Sequence, residues 1–437
     1  MRDPDTSRGR PTNLAKAITS MTARLVSIPH RGAKADNGLE IGLRPTPLVE
    51  VNAAGSGSGR RLSIYEPRDA FGLISELTHL SERAIERNIF YDPRFLVPAM
   101  PRLEDRRVRL LVMRDEAANH SRLRLLLPYS LERTGRFSRR SVMRVWSHPF
   151  GPVGSLPIDG DNPVGTVRSL VRTIAEGVLD LPPILVLPDI RAHGGMARTL
   201  SQAASELSLP LKMINEFERA ALSCQSPADA ALTGKRRREL ERGRRLLESQ
   251  GQLRLDIARK PDAFRTALED FFILEASGWK GRARSALISD RFRSAFAREA
   301  LNDLAAHDRA RIFTLRLDGE AIASLVLLVD QGEAYTWKSA YNETYAKASP
   351  GQQIMAAVTR ILVADPTIGR ADSCAVPDHF VMNRFWHDRI AIGTMVLGMK
   401  PGLEGEVDAV ARSLENSKRS ANRVRLMREA VRAALGR

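Results

Sequence analysis

Cysteine is nearly absent. Cys224 and Cys374 are the two thiols in 437 residues, and no CxxC pair exists. That spacing argues against a structural zinc site, and two thiols suit a reducing cytoplasm, which is the expected location. Aromatic residues are also scarce, at 5%, so Leu and Ala carry most of the apolar load. Long hydrophobic runs are missing. The longest, such as Leu325–Val329, are strand-sized and too short to span a bilayer. The first residues are polar and charged with no apolar h-region, so no signal peptide is expected.

What is present suits two domains plus tails: the length exceeds a single core, and 43% of residues are apolar. The formal net charge is +16, mostly from Arg. Such a balance fits a nucleic acid, an anionic cofactor or a membrane surface, or no special partner at all. It speaks to partners and solubility rather than fold. The cations are spread along the chain, which weakens a dedicated nucleic-acid footprint.

Residues 1–60 carry few structural signals and end in the Gly/Ser-rich run Ala53–Gly59, so a disordered tail is expected. Residues 61–222 read as a first domain. Strands are expected at Leu62–Tyr65, Val108–Met113, Leu123–Leu127, Val142–Trp146, Ile184–Leu187 and Leu211–Phe217. Helical periods cover Asp69–Arg87, Val164–Val178 and Met196–Leu207, and Pro93 breaks the segment from Asn88. After a linker around Ser226-Pro227 comes the very basic helix Leu232–Ser249. Residues 229–400 read as a second domain. Its expected helices are Asp262–Ala276, Phe292–Ala306, Ser349–Ala364 and His379–Arg389. Its expected strands are Arg311–Leu317, Ile322–Val329, Ala334–Ala340, Arg370–Val376 and Ile390–Met399, with a hairpin turn at Asp318-Gly319. Trp279-Lys280-Gly281 reads as a loop. Residues 401–437 read as a basic terminal helix. The two domains share an order of elements. Asp161-Asn162-Pro163 opens a helix in the first as Ser349-Pro350-Gly351 does in the second, a likeness of pattern that raises an internal duplication.

The chemistry-bearing segment runs from Trp337 to Gln353: a strand, a polar loop, then a helix start. Ser349 is a suitable N-cap, Pro350 suits the first helical position, and Gln352 completes a capping box. Free backbone amides at such a start, with Gly351 allowing close approach, attract phosphate or carboxylate. An ordinary capped helix is the alternative. No Ser-His-Asp or Cys-His arrangement points to a covalent enzyme intermediate.

Three segments together carry a family resemblance. Leu274–Arg282, Lys338–Gly351 and the basic helix ending in Leu246–Gly251, with Asn88-Ile89-Phe90-Tyr91-Asp92-Pro93 earlier, resemble the bacterial GNAT-type acetyltransferases of the cellulose-biosynthesis (CelD-like) type. These are related to the Fem-type aminoacyl transferases. The resemblance covers about residues 70–400 and implies an α/β (α+β) fold of two tandem GNAT-like domains, each a mixed, mostly antiparallel sheet flanked by helices. It implies an acyl transfer from acetyl-CoA or another acyl-CoA, without a metal, by direct attack of an amine or hydroxyl. The acceptor would be a small molecule or a glycan or lipid precursor. The donor's pyrophosphate would lie near Gly351, Gln352 and Gln353, beside Ser349. Its pantetheine arm would pair with Ala334–Ala340 where that strand splays from Arg370–Val376. The usual loop has two glycines and this one has Gly351 alone. A carrier-protein thioester, an aminoacyl-tRNA bound through the Arg236 helix, or a non-catalytic acyl- or anion-binding role therefore stay open.

Acyl transfer needs a base, an oxyanion donor and an aligned acceptor. Glu343, Asp372 and His379 are the candidate bases, each with an ordinary structural reading beside it: a solvated loop carboxylate, a strand ion pair, a cap-region histidine. A backbone amide within Tyr335–Lys338 is the candidate oxyanion donor. Lys338 is a candidate for neutralising donor phosphate, and Trp279, Lys280 and Tyr341 for the acceptor site.

Overall fold

The computed structural model describes residues 44–55, 59–103, 107–117, 120–133, 141–224 and 233–434. Most of the tail, residues 1–43, and the Ser226-Pro227 linker lie outside them. The first half runs β1 (Val49–Asn52), β2 (Arg60–Tyr65), α1 (Ile74–Glu82), α2 (Pro93–Leu103), β3 (Val108–Ala117), β4 (His120–Arg133), β5 (Ser141–Val145), α3 (Pro163–Ala175), β6 (Ile184–Arg191), α4 (Gly195–Glu206) and β7 (Leu211–Ser223). The second runs α5 (Gly234–Glu248), β8 (Leu253–Ala258), α6 (Pro261–Ser277), α7 (Trp279–Arg282), α8 (Arg291–Ala306), β9 (Ala310–Leu317), β10 (Glu320–Asp330), β11 (Glu333–Tyr341), α9 (Pro350–Ala364), β12 (Arg370–Asp372), α10 (Met382–Phe385), β13 (Asp388–Gly398) and α11 (Glu404–Ala434). Among the described residues no helix is long and apolar enough to cross a membrane.

The strands of the described residues join one 13-stranded sheet in the order β1-β2-β3-β4-β5-β6-β13-β7-β12-β11-β10-β9-β8. The fold is thus mixed α/β with a large, mostly antiparallel sheet flanked by helices. Two neighbouring pairs are parallel, β5 with β6 and β11 with β12, and each is joined through a helix, α3 or α9. Near its middle the sheet interleaves late and early chain. β13 lies between β6 and β7, and β7 in turn pairs with β12. The nearly all-apolar β10 is flanked by β9 and β11 and buried from Ile322 to Asp330, as its composition leads one to expect.

Several elements differ from the sequence reading. Val49–Asn52 pairs with β2 although it falls in the stretch expected to lack structure. Pro93 does break the preceding segment, but it also starts α2, where Pro suits the first turn and Asp92 accepts from the Arg94 amide at 2.9 Å. Trp279–Arg282 is a short helix and not a loop. β12 stops at Asp372 because Cys374 takes a left-handed turn (φ 51°). The helix expected over His379–Arg389 shrinks to Met382–Phe385, since Trp386 is extended and Asp388 already enters β13.

Candidate active site

β11 keeps β10 as a neighbour along its length, but it pairs with β12 only from Glu333 to Tyr335. Beyond that point a hydroxyl tether remains, Thr336 Oγ1 donating to the Ser373 carbonyl at 2.7 Å. The strands then part. The register between β10 and β11 shifts there too: Val326 faces Lys338 and Leu327 faces Thr336, so Trp337 has no residue opposite it. A bulge of this kind leaves the extra residue's backbone outside the ladder.

Past Tyr341 the chain makes a short 3-10 turn, Glu343–Ala348, and enters α9 through Ser349. Ser349 is the N-cap, but it is left-handed (φ 53°, ψ 55°) and its side chain makes no capping bond, so the expected capping box does not form. Pro350 holds the first helical position. The Ser349 carbonyl accepts from the Gln352 and Gln353 amides at 2.8 and 3.1 Å. Pro350 has no N–H, so Gly351 carries the remaining open donor of this turn. Its Cα lies beneath Tyr341: a Cβ there would be 3.4 Å from the ring.

Between the free end of β11, the start of α9, the end of α6 with α7, and residues 379–382 lies a cleft of about 420 Å³. Trp279, Lys280, Tyr341, Ser349, Gly351, Gln352 and His379 all line it. Of the other candidates, Gln353 turns away, its side-chain amide donating to the Leu240 carbonyl at 2.7 Å. It faces a second, basic cleft of about 350 Å³, lined also by Arg236, Arg242, Lys347, Ser349 and Gln352. Ser349 and Gln352 are common to both clefts, so the two meet at the start of α9.

Glu343 stands outside the main cleft as a brace. Its carboxylate accepts from Arg282 at 2.6 Å and from the Trp279 amide at 2.8 Å, and these bonds hold its pKa below the usual range. Asp372 is fully buried away from the cleft, with Arg219 2.5 Å from one oxygen and the Cys374 amide on the other at 2.9 Å. This carboxylate holds the turn that ends β12. His379 does face the cleft. Burial lowers its pKa, and its Nδ1 accepts from the Met382 amide at 3.2 Å. With that lone pair engaged, the neutral ring carries its proton on Nε2 and presents a donor. Lys338 is not at the helix start: its ammonium lies 3.5 Å from Glu275 and 5.0 Å above the Phe150 ring, and burial lowers its pKa.

Glu275 is the group the sequence reading passed over. It lines the cleft from α6, its side chain fully enclosed. One carboxylate oxygen is 3.2 Å from the Lys280 ammonium and 3.5 Å from Lys338, and the other accepts from the Leu287 amide at 2.8 Å. Lys280 also donates to the Ser339 carbonyl at 2.8 Å. A signal existed: Glu275 is one helical turn beyond Phe271 on the buried face of α6, where a carboxylate needs partners.

Residues 234–374 match the family profile of the acetyltransferase (GNAT) domain. This span holds α5 through β12 and most of the cleft. No curated protein matches the chain. Among solved structures it is similar to that of FemX, at 9% identity and TM-score 0.49 over 74% of this chain and 95% of that one. It is also similar to a conserved protein of unknown function from Bacteroides thetaiotaomicron (10%, TM-score 0.44, 74% and 97%). A third is a tandem GNAT protein from the clavulanic acid biosynthesis pathway (10%, TM-score 0.39, 77% and 98%). Residues 234–374, in the second half of the chain, are thus similar to the GNAT acetyltransferase domain.

Proposed function

We propose that this protein moves an acyl group from an acyl-CoA-type thioester to an amine or hydroxyl acceptor by direct attack. The observation that carries the reading is the parting of β11 from β12 at the Trp337 bulge, beside a cleft that runs to the open amide of Gly351. A thioester arm laid along the free edge of β11 would find backbone partners there. Its phosphates would reach the start of α9 and the cations Arg236, Arg242 and Lys347 of the second cleft.

In this scheme the Trp337 amide and the Lys280 ammonium stabilise the oxyanion as the acceptor's nitrogen or oxygen bonds to the carbonyl carbon. The C–S bond then breaks, the thiolate leaves to be protonated from solvent, and the acceptor's proton passes to Glu275. Glu275 is favoured over Glu343 and Asp372 because it alone of the three lines the cleft. His379, presenting Nε2–H, would orient the acceptor rather than deprotonate it. Glu275→Gln should lower kcat by about a hundredfold while leaving donor binding unchanged, the usual scale for losing a positioned base.

A thermal-shift series with acetyl-CoA and longer acyl-CoA species tests the donor. Ligand at about a hundred times its Kd should raise stability by about 2.7 kcal/mol. No shift with any of them would remove the donor assignment. The basic cleft beside Arg236 and Arg242 favours one second reading, an aminoacyl-tRNA donor. In that case charged tRNA, not acyl-CoA, would bind, with an affinity falling steeply as salt rises.

A further inference from the structure

Trp337 is the bulge residue of β11, and it has no residue opposite it on β10. β12 pairs with β11 no further than Tyr335. Neither neighbouring strand therefore pairs with the residue whose amide the acyl-transfer reading uses. Its side chain supplies a hold that the ladder does not. Trp337 is 9% exposed, and its side-chain contacts reach back into the first half of the chain. The indole Nε1 donates to the Phe150 carbonyl at 2.9 Å. Its ring meets Phe150 edge-on at 6.1 Å and Phe95 of α2 at 5.9 Å between centroids.

Phe150 offers this acceptor because of the turn that carries it. His148-Pro149-Phe150-Gly151 is a β-turn, closed by the Gly151 amide donating to the His148 carbonyl at 3.0 Å. Pro in the second place and Gly in the fourth are what such a turn favours. The Phe150 amide is taken by His148 Nδ1 at 3.3 Å. Its carbonyl lies outside the closing bond and is the group presented to Trp337. The Phe150 ring is held too, stacked on Phe296 of α8 at 5.9 Å. That ring lies 5.0 Å from the ammonium of Lys338, the residue after the bulge, and Lys338 is in turn 3.5 Å from Glu275. One residue of the first half thus touches both Trp337 and Lys338. A buried indole N–H needs an acceptor wherever it stands. What singles this one out is its place on the residue where the strands part.

We propose that Trp337 is a positioning residue, and that the Phe150 carbonyl, held out by the 148–151 turn, fixes the bulge so that the Trp337 amide points at the acyl carbonyl. The first half of the chain thereby takes part in the reaction of the second through one turn. This role rests on the acyl-transfer reading and adds a requirement that residues 234–374 do not meet alone.

Infrared difference spectra of acetyl-CoA, isotope-labelled at the thioester carbonyl, test this on the full chain. Binding to the intact protein should move the carbonyl stretch to lower frequency, because an N–H aimed at the oxygen draws charge onto it. Trp337→Phe removes the indole N–H and keeps a ring in the core. It should bind acetyl-CoA with an unchanged Kd, and the stretch should move back toward its value in free acetyl-CoA. Pro149→Gly alters an exposed residue of the first half and loosens the turn without touching β11. It should give a smaller return in the same direction, again at unchanged Kd. The double variant should return no further than Trp337→Phe alone, since both act through one bond. A stretch unmoved in both single variants, or a double variant whose return is the sum of the two, would overturn the positioning role. Acetyl-CoA bound to the intact protein with an undisplaced stretch would also overturn it and would leave the donor assignment standing. Failure of the intact protein to bind acetyl-CoA would remove the donor assignment, and this role with it.

Discussion

The sheet contains the same crossover twice, and the two copies end differently. In β5–α3–β6 and in β11–α9–β12 a strand leaves its parallel partner, a left-handed N-cap turns the chain (Asn162, φ 55°; Ser349, φ 53°), and a Pro starts the helix. In the second copy, residues 342–349 are just long enough to reach α9, and the gap beside β11 stays open as the cleft. In the first, residues 146–162 come back into the gap. Gly154 donates to the Asp189 carbonyl of β6 at 2.8 Å, and the Leu126 amide of β4 donates to the Pro157 carbonyl. Asn88 holds the insert by donating to the Val153 and Ser155 carbonyls, both at 2.9 Å, and Arg219 does so at the Pro152 carbonyl. One copy of the crossover is thus filled with its own chain and the other is left able to receive something else. The larger part of the difference lies in loop length and in what pins the loop.

The most direct way to break this comparison is to fill the open copy. Gly351→Phe sets a ring at the start of α9, against Tyr341, and should abolish any acyl-CoA thermal shift. Gly351→Ala should keep it, because a Cβ meets Tyr341 at an ordinary 3.4 Å. A shift undiminished in Gly351→Phe would mean that the ligand does not pass this helix start.

The filled copy should show itself in pH dependence. His148, in the insert, is fully buried among Phe95, Trp146 and Phe296, and burial drives its pKa from 6.5 down to about 3. The folded value lies below the unfolded one, so below about pH 6.5 the unfolded chain binds a proton that the folded chain refuses. Stability from this site is full at neutral pH and falls as pH drops toward 3, by roughly 4–5 kcal/mol at most at 1.36 kcal/mol per unit. His148→Asn keeps an acceptor for the Phe150 amide and should flatten that part of the curve in urea melts taken from pH 7 to pH 4. An unchanged slope would mean that His148 is protonated in the fold.

How far the sequence foretold this arrangement depends on the range of the forces involved. The meander β9–β10–β11 was readable because alternation and Asp318-Gly319 act locally. Pro350 likewise marked the start of α9. Trp279, Lys280, Tyr341, Ser349, Gly351, Gln352 and His379 meet in one cleft, since short segments place them at strand and helix ends. What could not be read depends on distant partners. Asp372 looks like any strand carboxylate until Arg219, 153 residues away, is set against it. The Asn88–Pro93 motif, read as a family mark, pins the insert and reaches the second half: Tyr91 donates to the Trp146 carbonyl at 2.9 Å, and Asp92 pairs with Arg309. The bulge at Trp337 follows from a register between strands that no local pattern records. Glu275 was legible in principle, from its place in the apolar period of α6.

A smaller effect tests the insert itself. At Gly154 a Cβ would come within 2.0 Å of the Pro188 carbonyl oxygen, backbone that cannot swing aside. Gly154→Ala should therefore cost about 1–3 kcal/mol in a urea melt, the range for forcing an atom into a packed site. Gly351→Ala, at the edge of the open copy, should be near neutral, since a Cβ there meets Tyr341 at 3.4 Å. Equal losses at the two glycines would mean that the two gaps are equally tight.

The smallest contrast concerns the two N-caps, which share a backbone conformation but not a role. Asn162 accepts from the Gly165 amide at 3.1 Å, so its side chain closes the start of α3. Ser349 makes no such bond, and the first turn of α9 keeps Gly351 unclosed. Left-handed backbone also suits Asn better than Ser or Ala, because its short amide bonds locally. Asn162→Ala should then cost about 1 kcal/mol or slightly more, the loss of a cap together with left-handed strain. Ser349→Ala should cost only a few tenths, since there is no cap to lose. The informative variant is Ser349→Asn. If the site is held open by the lack of a capping side chain, Asn here should close onto the first turn, raise stability modestly and weaken acyl-CoA binding. If Ser349→Asn raises stability and leaves ligand binding unchanged, the anion does not use this helix start, and the likeness between the two crossovers is one of architecture alone.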